Sequence, residues 1–402
     1  MIYLFEAIKL IEDNVNPLAP EAVPLTEALG CRLKQDVIAE IDIPPFNNSA
    51  MDGFAFHHTD FSGEGPWSFP IMDVIAAGDS PTAKLLPGNA VKIMTGAPMI
   101  DGSDTVIKIE SVVVKDGKVI VDSKPELGSC VRPRGEDVND GDLLFQRGEI
   151  LSAVDLGLLA SIGKSEIKVT PRPKVCLVAT GSELIQPGYP LEFGQIYDSN
   201  RITIQSLLDN NGFKKITSMT VTDEYETLKN EIENQLASHD MLITIGGVSM
   251  GDFDHIPRLV NELGGEVVFH KVKVKPGKPI FLAKFTSIST DPKWLVGLPG
   301  NPVSAVVSYH TYVKRIQTKL MDLPPSIIAS KAILAENIRV KVGRLKIISV
   351  TVVEKNDGLI AYPIGRQSSG RLSSLKGANA FIQIQPDVGQ LYANSEQTIE
   401  WL

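Results

Sequence analysis

The sequence predicts a multidomain protein of the α/β and β class, with a central doubly wound α/β domain, a β-rich insertion domain and a C-terminal β domain. Three observations support this prediction. The chain has 402 residues, which is the length of about two to four domains. Short apolar runs alternate with helical patterns in its central part, as they do in doubly wound sheets. The flanking parts instead contain short strand-like runs separated by turn residues.

The N-terminal region is predicted to be helical at its two ends and β-rich between them. Apolar residues with helical spacing in Ile2–Asp13 indicate a first helix, and Val23–Gly30 indicates a second, short one. From there to about residue 138 the pattern is one of short strands and turns, with a hairpin signal at 115–118. Leu151–Ile162 again has a helical pattern, which Gly163 ends.

The central part is predicted to alternate strands with helices, which indicates a mainly parallel sheet covered on both faces. The predicted strands are Val175–Ala179, Ile216–Val221, Met241–Ile245 and Trp294–Leu298. The predicted helices are Arg201–Asp209, Glu224–Ser238, Pro257–Leu263 and Val303–Leu320. After two prolines at 324 and 325, the strand-like segments Ile347–Val353 and Phe381–Ile384 predict a small β domain.

Composition excludes several classes of protein. The formal net charge of −9, from 39 basic and 48 acidic residues, disfavours general nucleic-acid binding. The three cysteines form no C-x-x-C pair, which argues against a disulfide framework or a zinc site. No apolar run reaches the roughly 18 residues of a membrane span, and the first residues do not resemble a secretory signal. We therefore expect a soluble, cytoplasmic protein that binds neither nucleic acid nor membranes.

Ligands of open α/β sheets bind beyond the carboxyl ends of the strands, so the loops that follow the predicted strands are candidate sites. The first loop, 180–184, places Glu183 at this edge. Alternatively, Glu183 is an acidic residue in the first turn of a helix, where the helix dipole stabilises a negative charge. Position alone does not decide between the two interpretations.

The second loop, 246–254, combines glycines with acidic residues. Gly246 and Gly247 would let backbone N–H groups approach an anion closely, and Asp252 and Asp254 follow them. A carboxylate does not attract an anion, so the combination makes sense if a cation such as Mg²⁺ bridges the two. The alternative is an ordinary turn between a strand and a helix.

The third and fourth loops favour anion binding. Residues 271–279 contain four lysines, which indicates an anion clamp; the alternative is an edge strand whose lysines discourage aggregation. In 298–304, Asn301 suits a helix N-cap and Pro302 suits the first helical position, so this helix N-terminus is a candidate anion site. Capping alone explains both residues equally well, and only proximity to the lysines favours a function.

The β-rich region adds three glycine-containing turns, at 47–55, 94–98 and 134–137, each of which is an ordinary turn when taken alone. The adjacent His57 and His58 are expected on opposite faces of a strand rather than as metal ligands.

Together, these motifs resemble one family. The motifs that carry the resemblance are Ser49–Gly53, Thr95–Pro98, Arg134–Asp137, Gln195–Asn200, Gly246–Ser249, Lys275–Pro279 and Pro299–Ser304, with Gly343–Arg344 and Ser368–Gly370 near the end. This ordered set is similar to that of the molybdopterin molybdenumtransferases of the MoeA type, a fold also present in the E domain of gephyrin. Each motif alone is unspecific, whereas the whole set over nearly the entire chain is very specific.

The resemblance implies four domains and a homodimer. The domains would be an elongated piece of residues 1–43 and 139–171, the β-rich insertion 44–138, an α/β domain 172–323 related to molybdopterin adenylyltransferases, and a C-terminal β domain 324–402. Each active site would combine the α/β domain of one subunit with the β insertion of the other.

The resemblance also implies a reaction and a set of site residues. Adenylylated molybdopterin and molybdate would react with release of AMP to give the molybdenum cofactor, with the help of Mg²⁺. The implied catalytic residues are Asp52, Thr95, Asp137, Glu183 and Asp254, of which Asp52, Glu183 and Asp254 would bind the metal. The implied molybdate ligands are Lys275, Lys278, Ser304, Arg344 and Ser369. The other implied substrate-binding residues are Asp198, Gly246, Gly247, Ser249, Pro299 and Pro302.

Some positions depart from the usual family pattern. Asn47 and Ser182 stand where an aspartate is usual, Phe54 stands where a tyrosine is usual, and Ala179 stands where a serine is usual. Two other functions remain open. One is a non-catalytic binding or scaffold module of the same fold, which would have no reason to keep the carboxylates together with the lysines. The other is an adenylyltransferase or nucleotide pyrophosphatase that shares only the α/β domain, which the β insertion and the terminal domain disfavour.

Overall fold

A computed structural model describes the protein at residues 1–213, 216–248, 254–288, 291–325, 327–356, 358–365 and 368–402. Ser249, which the family resemblance assigns to substrate binding, lies outside the described residues, as does Asp252. The chain divides into two units, one formed by Met1–Glu21 together with Val169–Leu402, and the other by Ala22–Lys168.

Short strands dominate the first 170 residues, all of which the structure describes. The elements are, in chain order, α1 (Leu4–Asn14), β1 (Glu21–Pro24), β2 (Arg32–Leu33), β3 (Val37–Ile38), β4 (Asn48–Ser49), β5 (Gly53–Phe56), β6 (Trp67–Ile75), β7 (Ala90–Ile93), β8 (Thr105–Lys108), β9 (Val113–Lys115), β10 (Lys118–Val121), β11 (Val131–Arg132), β12 (Leu143–Phe145), α2 (Ala153–Ser161) and β13 (Glu166–Thr170). Single turns of 3₁₀ helix lie at Leu25–Glu27, His58–Asp60 and Ile109–Ser111.

The main layer of the unit Ala22–Lys168 is a six-stranded sheet in the order β8-β5-β7-β6-β10-β9. The predicted hairpin is confirmed, because β9 and β10 pair antiparallel. One face of the sheet carries an aromatic core, in which the ring of Phe56 lies edge-on to those of Phe61 and Phe69 at 5.2 and 5.0 Å. Phe54, which stands where a tyrosine is usual in the family that the sequence resembles, is fully buried in this apolar cluster. A tyrosine hydroxyl buried here would need a hydrogen-bond partner, whereas phenylalanine needs none.

Two local predictions for this unit are wrong. The segment Val23–Gly30 is not a helix: Glu21–Pro24 is a strand beside β13, and only Leu25–Glu27 makes a helical turn. Pairing with β13 and the extended backbone of Pro24 prevail over the helical pattern of the apolar residues. His57 and His58 do not lie in a strand, because β5 ends at Phe56 and His57 caps the following 3₁₀ turn by accepting from the Thr59 N–H at 3.3 Å.

The α/β domain contains β14 (Val175–Thr180), β15 (Leu184–Ile185), β16 (Ile196–Tyr197), α3 (Ser199–Asn210), β17 (Ile216–Val221), α4 (Tyr225–Ser238), β18 (Met241–Ile245), α5 (Ile256–Glu262), β19 (Glu266–His270), β20 (Val274–Lys275), β21 (Phe281–Phe285), β22 (Lys293–Leu298), α6 (Pro302–Ser308) and α7 (Lys314–Leu320). Its sheet has the order β17-β14-β18-β22-β21-β19. The first four of these strands run parallel, and the last two are antiparallel.

The four predicted strands and the four predicted helices of this domain are confirmed. The central strands β14 and β18 are buried at every position, as expected for continuous apolar runs that helices cover on both faces. The antiparallel strands β19 and β21 were not predicted. Antiparallel neighbours need no helical crossover, and β19 is exposed at Glu266 and Val267, so β19 lacks both signals of a buried parallel strand. Strand β21 is mostly buried, and its apolar run was overlooked.

The predicted helix Val303–Leu320 is one continuous helical segment with an irregular middle. Between α6 and α7, Tyr309–Val313 forms a π-helical turn in which all five residues are buried. In the part of the chain that the structure describes, this and every other helix is too short or too polar to cross a membrane.

The C-terminal domain is a small, closed β structure. Its strands are β23 (Ala329–Leu334), β24 (Ile338–Arg339), β25 (Leu345–Lys355), β26 (Gly358–Pro363), β27 (Ala380–Ile384), β28 (Gln390–Leu391) and β29 (Glu396–Trp401). The sheet order is β20-β25-β26-β23-β29-β27, and β27 also pairs with β25, so that five strands close into a ring. Strand β20, which belongs to the α/β domain by sequence, is the sixth strand of this sheet.

The start of α3 depends on Asp198, which the resemblance assigns to substrate binding. Its side chain is 2 % exposed. Its carboxylate accepts hydrogen bonds from the Arg201 N–H at 3.1 Å, from Arg201 Nε at 2.9 Å and from the Thr220 hydroxyl at 2.8 Å. Asp198 is therefore an N-cap and one half of a nearly buried ion pair, which joins α3 to β17.

We predict that Asp198→Ala lowers the free energy of unfolding by about 3 kcal/mol, because it removes the cap and leaves the Arg201 guanidinium without its partner. Asp209→Ala is the matched control: Asp209 is exposed in the last turn of the same helix, and the change should stay within about 0.5 kcal/mol. Chemical denaturation measures both. Equal stability of wild type and Asp198→Ala would show that the buried contacts do not hold α3.

A second prediction concerns Glu262 at the end of α5. The pKa of Glu262 is lowered to about 2 by three neighbouring groups. These are, in order of effect, the Tyr225 hydroxyl, Arg258 Nε at 2.9 Å from Glu262 Oε1, and Lys229 Nζ at 3.2 Å from Glu262 Oε2. A lowered folded-state pKa stabilises the fold above the unfolded value of about 4.5, and this contribution is lost as the pH falls towards 2.

Glu262→Gln should therefore lower the thermal unfolding midpoint above pH 5, and its difference from wild type should shrink as the pH falls from 4.5 to about 3. Glu233→Gln, at an exposed position of α4, is the control, and its unfolding midpoint should follow that of wild type at every pH. If the unfolding midpoints of wild type and Glu262→Gln differed by the same amount across this pH range, the lowered pKa of Glu262 would be contradicted.

Candidate active site

The carboxyl ends of the parallel strands border a cavity of about 250 Å³, here called the acidic cavity. Its walls are the loops after β14, β17, β18 and β22, together with the end of the lysine-rich loop at Pro279. Five residues assigned by the resemblance line it together: Glu183, Gly246, Gly247, Asp254 and Pro299. The structure thus brings the first, second and fourth candidate loops to one place.

Gly246 is required by a close approach at the floor of this cavity. Its φ of 97° lies in the left-handed region, and a Cβ there would come within 2.9 Å of Thr180 Oγ1 and 3.0 Å of the Thr180 carbonyl oxygen. Thr180 is held in turn, because its hydroxyl donates to the Ile245 carbonyl at 3.3 Å. The ends of β14 and β18 can approach this closely only because residue 246 has no side chain.

Glu183 does not begin a helix, so the interpretation of Glu183 as a helix first-turn residue is wrong. It lies in the turn between β14 and the short strand β15, exposed, with its carboxylate folded back over Gly181. A Cβ on Gly181 would come within 2.7 Å of Glu183 Oε2. The carboxylate lies at the wall of the acidic cavity and is accessible to a ligand.

Asp223 also lines the acidic cavity, and the sequence analysis missed it. Its carboxylate accepts from the Ser182 N–H at 3.3 Å, and its own N–H donates to Ser182 Oγ at 3.4 Å. The rule that identified Glu183 would have found it, since Asp223 lies in the loop that follows β17, two residues after the strand ends. Ser182, one of the positions that depart from the family pattern, thus ties Asp223 to the Glu183 turn.

A second cavity of about 430 Å³, here called the cationic cavity, lies between the lysine-rich loop and the C-terminal domain. Its lining includes Lys275, Arg339, Lys341, Lys346 and Ser369. Lys275 and Ser369 are assigned to molybdate by the resemblance, whereas Arg339, Lys341 and Lys346 were not anticipated. The Val303 N–H donates to the Ser369 carbonyl at 3.1 Å, which joins α6 to this wall.

The other three residues assigned to molybdate are not part of this lining. Ser304 is buried directly after Val303, which lines the cavity. Lys278 is exposed in the loop between Pro276 and Pro279. Arg344 is exposed, and its charge adds to partial burial and the charge of Lys275 in lowering the pKa of the Lys346 amine.

Two loops contribute to both cavities. In the lysine-rich loop, Pro276 lines the cationic cavity and Pro279 lines the acidic one. In the loop before α6, Pro299 and Gly300 line the acidic cavity and Val303 lines the cationic one. Pro302 is the first residue of α6, between these two contacts, as predicted. The two cavities therefore border the same two loops.

Asp198 lines neither cavity, and the contacts of its carboxylate lie between α3 and β17. The edge-strand interpretation of the lysine-rich loop is correct for Lys275, because its strand β20 is an edge strand of the C-terminal sheet. Lys275 also lines the cationic cavity, so the two interpretations both apply to it. Lys273 lies outside the strand, over the ring of Tyr3 at 4.0 Å.

The unit Ala22–Lys168 contains a separate pair of candidate residues, Asp52 and Thr95. The Asp52 Oδ1 atom accepts from the Thr95 N–H and from the Thr95 hydroxyl, both at 2.7 Å. These two bonds, the backbone one first, hold the pKa of the exposed Asp52 carboxyl below its usual value. Asp52 is an ionised carboxylate with a fixed orientation, and Oδ1 takes both bonds.

Asp137 lies in the third turn of this unit, and its side chain is exposed. Its N–H donates to the Ile43 carbonyl at 2.9 Å. Asn47 supports the same turn, because its side-chain oxygen accepts from the Arg134 N–H at 2.8 Å. The Asn47 amide oxygen thus provides a hydrogen-bond acceptor for this turn, at a position where the family usually has an aspartate.

The acidic cavity fits a magnesium ion by its donor chemistry. Glu183, Asp223 and Asp254 supply the hard oxygen ligands that Mg²⁺ prefers. Within the described residues, three such side chains are nowhere gathered closely enough to hold a metal by themselves. This arrangement suits Mg²⁺, which usually takes one or two carboxylates and completes its shell with water and substrate phosphates.

Family descriptions match the chain in three consecutive parts. The MoeA N-terminal region (domain I and II) matches residues 2–163, the probable molybdopterin binding domain matches residues 176–318, and the MoeA C-terminal region (domain IV) matches residues 331–400. The second of these contains most of the acidic cavity, and the third contains the wall of the cationic cavity formed by Arg339, Lys341 and Lys346.

Whole proteins match over the same length. The molybdopterin molybdenumtransferase of Haemophilus influenzae is 34% identical over 399 residues, which cover 98% of this chain and 96% of the relative. That of Bacillus subtilis is 33% identical, over 90% of this chain and 85% of the relative. A crystal structure of the molybdopterin biosynthesis MoeA protein from Pyrococcus has a TM-score of 0.72 at 29% identity, covering 100% of this chain and 99% of that one. The chain therefore belongs to the molybdopterin molybdenumtransferase family of the MoeA type.

Proposed function

We propose that the protein inserts molybdate into adenylylated molybdopterin and releases AMP, forming the molybdenum cofactor. The observation that carries this proposal is the pair of cavities that border two shared loops. One cavity combines a glycine turn with carboxylates, and the other combines several lysines with an arginine. A reaction that joins a phosphate-bearing substrate to a small oxyanion needs two such environments side by side.

The acidic cavity is proposed to bind the adenylylated pterin. Gly246 and Gly247 allow the phosphates to approach the backbone at the end of β18. Glu183 and Asp254, with Asp223, would hold Mg²⁺ beside them. When bound, Mg²⁺ would neutralise charge on the phosphate oxygens and orient a water molecule. Without a cation, these carboxylates would repel the substrate.

The cationic cavity is proposed to hold molybdate. Lys275 and Lys278 would neutralise the dianion, Arg344 would add a planar donor fork, and Ser304 and Ser369 would supply hydroxyl donors. Of these, Lys275 and Ser369 line the cavity, and the other three are proposed from the family resemblance. Because the lysine-rich loop also borders the acidic cavity, the same loop would position the oxyanion against the pterin.

We further propose a homodimer in which Asp52, Thr95 and Asp137 of one subunit act on the acidic cavity of the other. The fixed, ionised Asp52 carboxylate is suited to stabilise charge or to bind metal near the phosphate. The division into four domains at 43/44, 138/139, 171/172 and 323/324 and a cytoplasmic location belong to the same proposal and stay predictions.

The decisive experiment incubates the purified protein with adenylylated molybdopterin, molybdate and Mg²⁺, and follows AMP release and cofactor formation. Molybdate-dependent AMP release supports the proposal. Tight binding of the pterin without AMP release would instead support the non-catalytic binding or scaffold module. Conversion of ATP and unadenylylated molybdopterin would support an adenylyltransferase.

We predict that Asp52→Asn reduces kcat in this assay by about 100-fold, the usual cost of losing one electrostatic catalytic group. The asparagine oxygen still accepts from Thr95, so the turn is kept while the charge is lost. Asp60→Asn is the matched control, because the Asp60 carboxylate likewise accepts a backbone N–H, from Gly88 at 2.9 Å, and activity should be unchanged. Full activity of Asp52→Asn would remove Asp52 from the catalytic residues.

A further inference from the structure

Two lysines face each other across a β-ladder in the cationic cavity. Strands β20 and β25 are parallel, and Lys275 and Lys346 are directly paired in their register. Both residues line the cavity. Like charges placed directly opposite each other on a sheet destabilise it, so this pair needs a compensating partner.

The protein supplies no such partner among the residues that the structure describes. The described lining of the cavity contains no carboxylate, and Arg339 and Lys341 add further positive charge. None of the ion pairs found in these residues involves Lys275 or Lys346. Partial burial, followed by the charges of Lys275, Arg344 and Lys341, lowers the pKa of Lys346.

Lys346 also has no role as a strand-edge lysine. Strand β25 pairs with β20, β26 and β27 and is therefore an interior strand. Lysines that discourage aggregation occur on exposed edges, which β25 does not have at this position. A half-buried lysine on an interior strand, opposite another lysine, needs an explanation other than solubility.

We infer that Lys346 is a direct ligand of molybdate. One tetrahedral dianion would then be bound by two lysines on paired strands, Lys275 on β20 and Lys346 on β25. This inference rests on the proposed function and adds a residue from the C-terminal domain to the molybdate site. The dianion would turn the repulsion between the two amines into two charge-assisted contacts. Ser369 lies in the same lining and can donate to the same ligand.

The test is the dependence of turnover on molybdate concentration, with the adenylylated pterin saturating. Lys346→Met should raise the KM for molybdate by about tenfold or more, as expected for loss of one hydrogen bond from a charged group, with kcat within about threefold. Lys346→Arg should recover most of the loss. Lys355→Met, at an exposed position on the same strand and outside the lining, is the control and should behave as wild type.

A binding measurement separates this inference from the proposed function. Molybdate or tungstate should raise the thermal unfolding midpoint of wild type and of Lys355→Met, but much less that of Lys346→Met. Without the anion, Lys346→Met should be at least as stable as wild type, because it relieves the repulsion from Lys275. A merely structural role for Lys346 would instead lower the midpoint of the anion-free protein.

The outcomes have different consequences. If wild type releases AMP and Lys346→Met has an unchanged KM for molybdate, the inference is overturned and the proposed function stands. If wild type releases no AMP while molybdate still stabilises wild type more than Lys346→Met, the proposed function fails and the assignment of Lys346 as an oxyanion ligand stands.

Discussion

Burial of the parallel sheet is the constraint on which the candidate site depends. Strands β14 and β18 are buried at every position, and β22 is nearly so. Such strands cannot slip or tilt without exposing apolar surface, so the loops at their carboxyl ends keep fixed places at one edge. Gly246 and Thr180 show how tight this edge is, since their backbones approach to a distance that excludes a Cβ. The acidic cavity is a consequence of that packing.

The acidic and the cationic cavity share two backbone segments, the lysine-rich loop and the loop before α6. Pro276 and Pro279, three residues apart, line different cavities, and so do Gly300 and Val303. Carboxylates gather where strand ends bring glycine-rich turns together, while cations gather where the C-terminal domain meets the lysine-rich loop. Two short loops thus border both sets of charges and keep them apart.

Much of the fold was predictable because burial on both faces produces continuous apolar runs, as in Val175–Thr180. The edge strand β19 was missed because its exposed first residues break that signal, whereas the interior strand β21 is mostly buried and was overlooked. The predicted helix at Val23–Gly30 was wrong because pairing with β13 prevails over a local helical pattern. In the site, glycines and carboxylates after predicted strands were found, although Asp223 was overlooked. Lys346 could not be found from the sequence, because its position opposite Lys275 depends on the register between two strands about 70 residues apart in the chain. The roles of the site residues stay predictions.

The position of β20 links two domains that the sequence separates. It lies between β19 and β21 of the α/β sheet along the chain, yet its backbone hydrogen-bonds to β25 of the closed ring. Removing the ring would leave the strand that carries Lys275 without its ladder, and moving the ring would pull the lysine-rich loop with it. The C-terminal domain is thus a structural part of the cationic cavity and cannot be exchanged as an independent module.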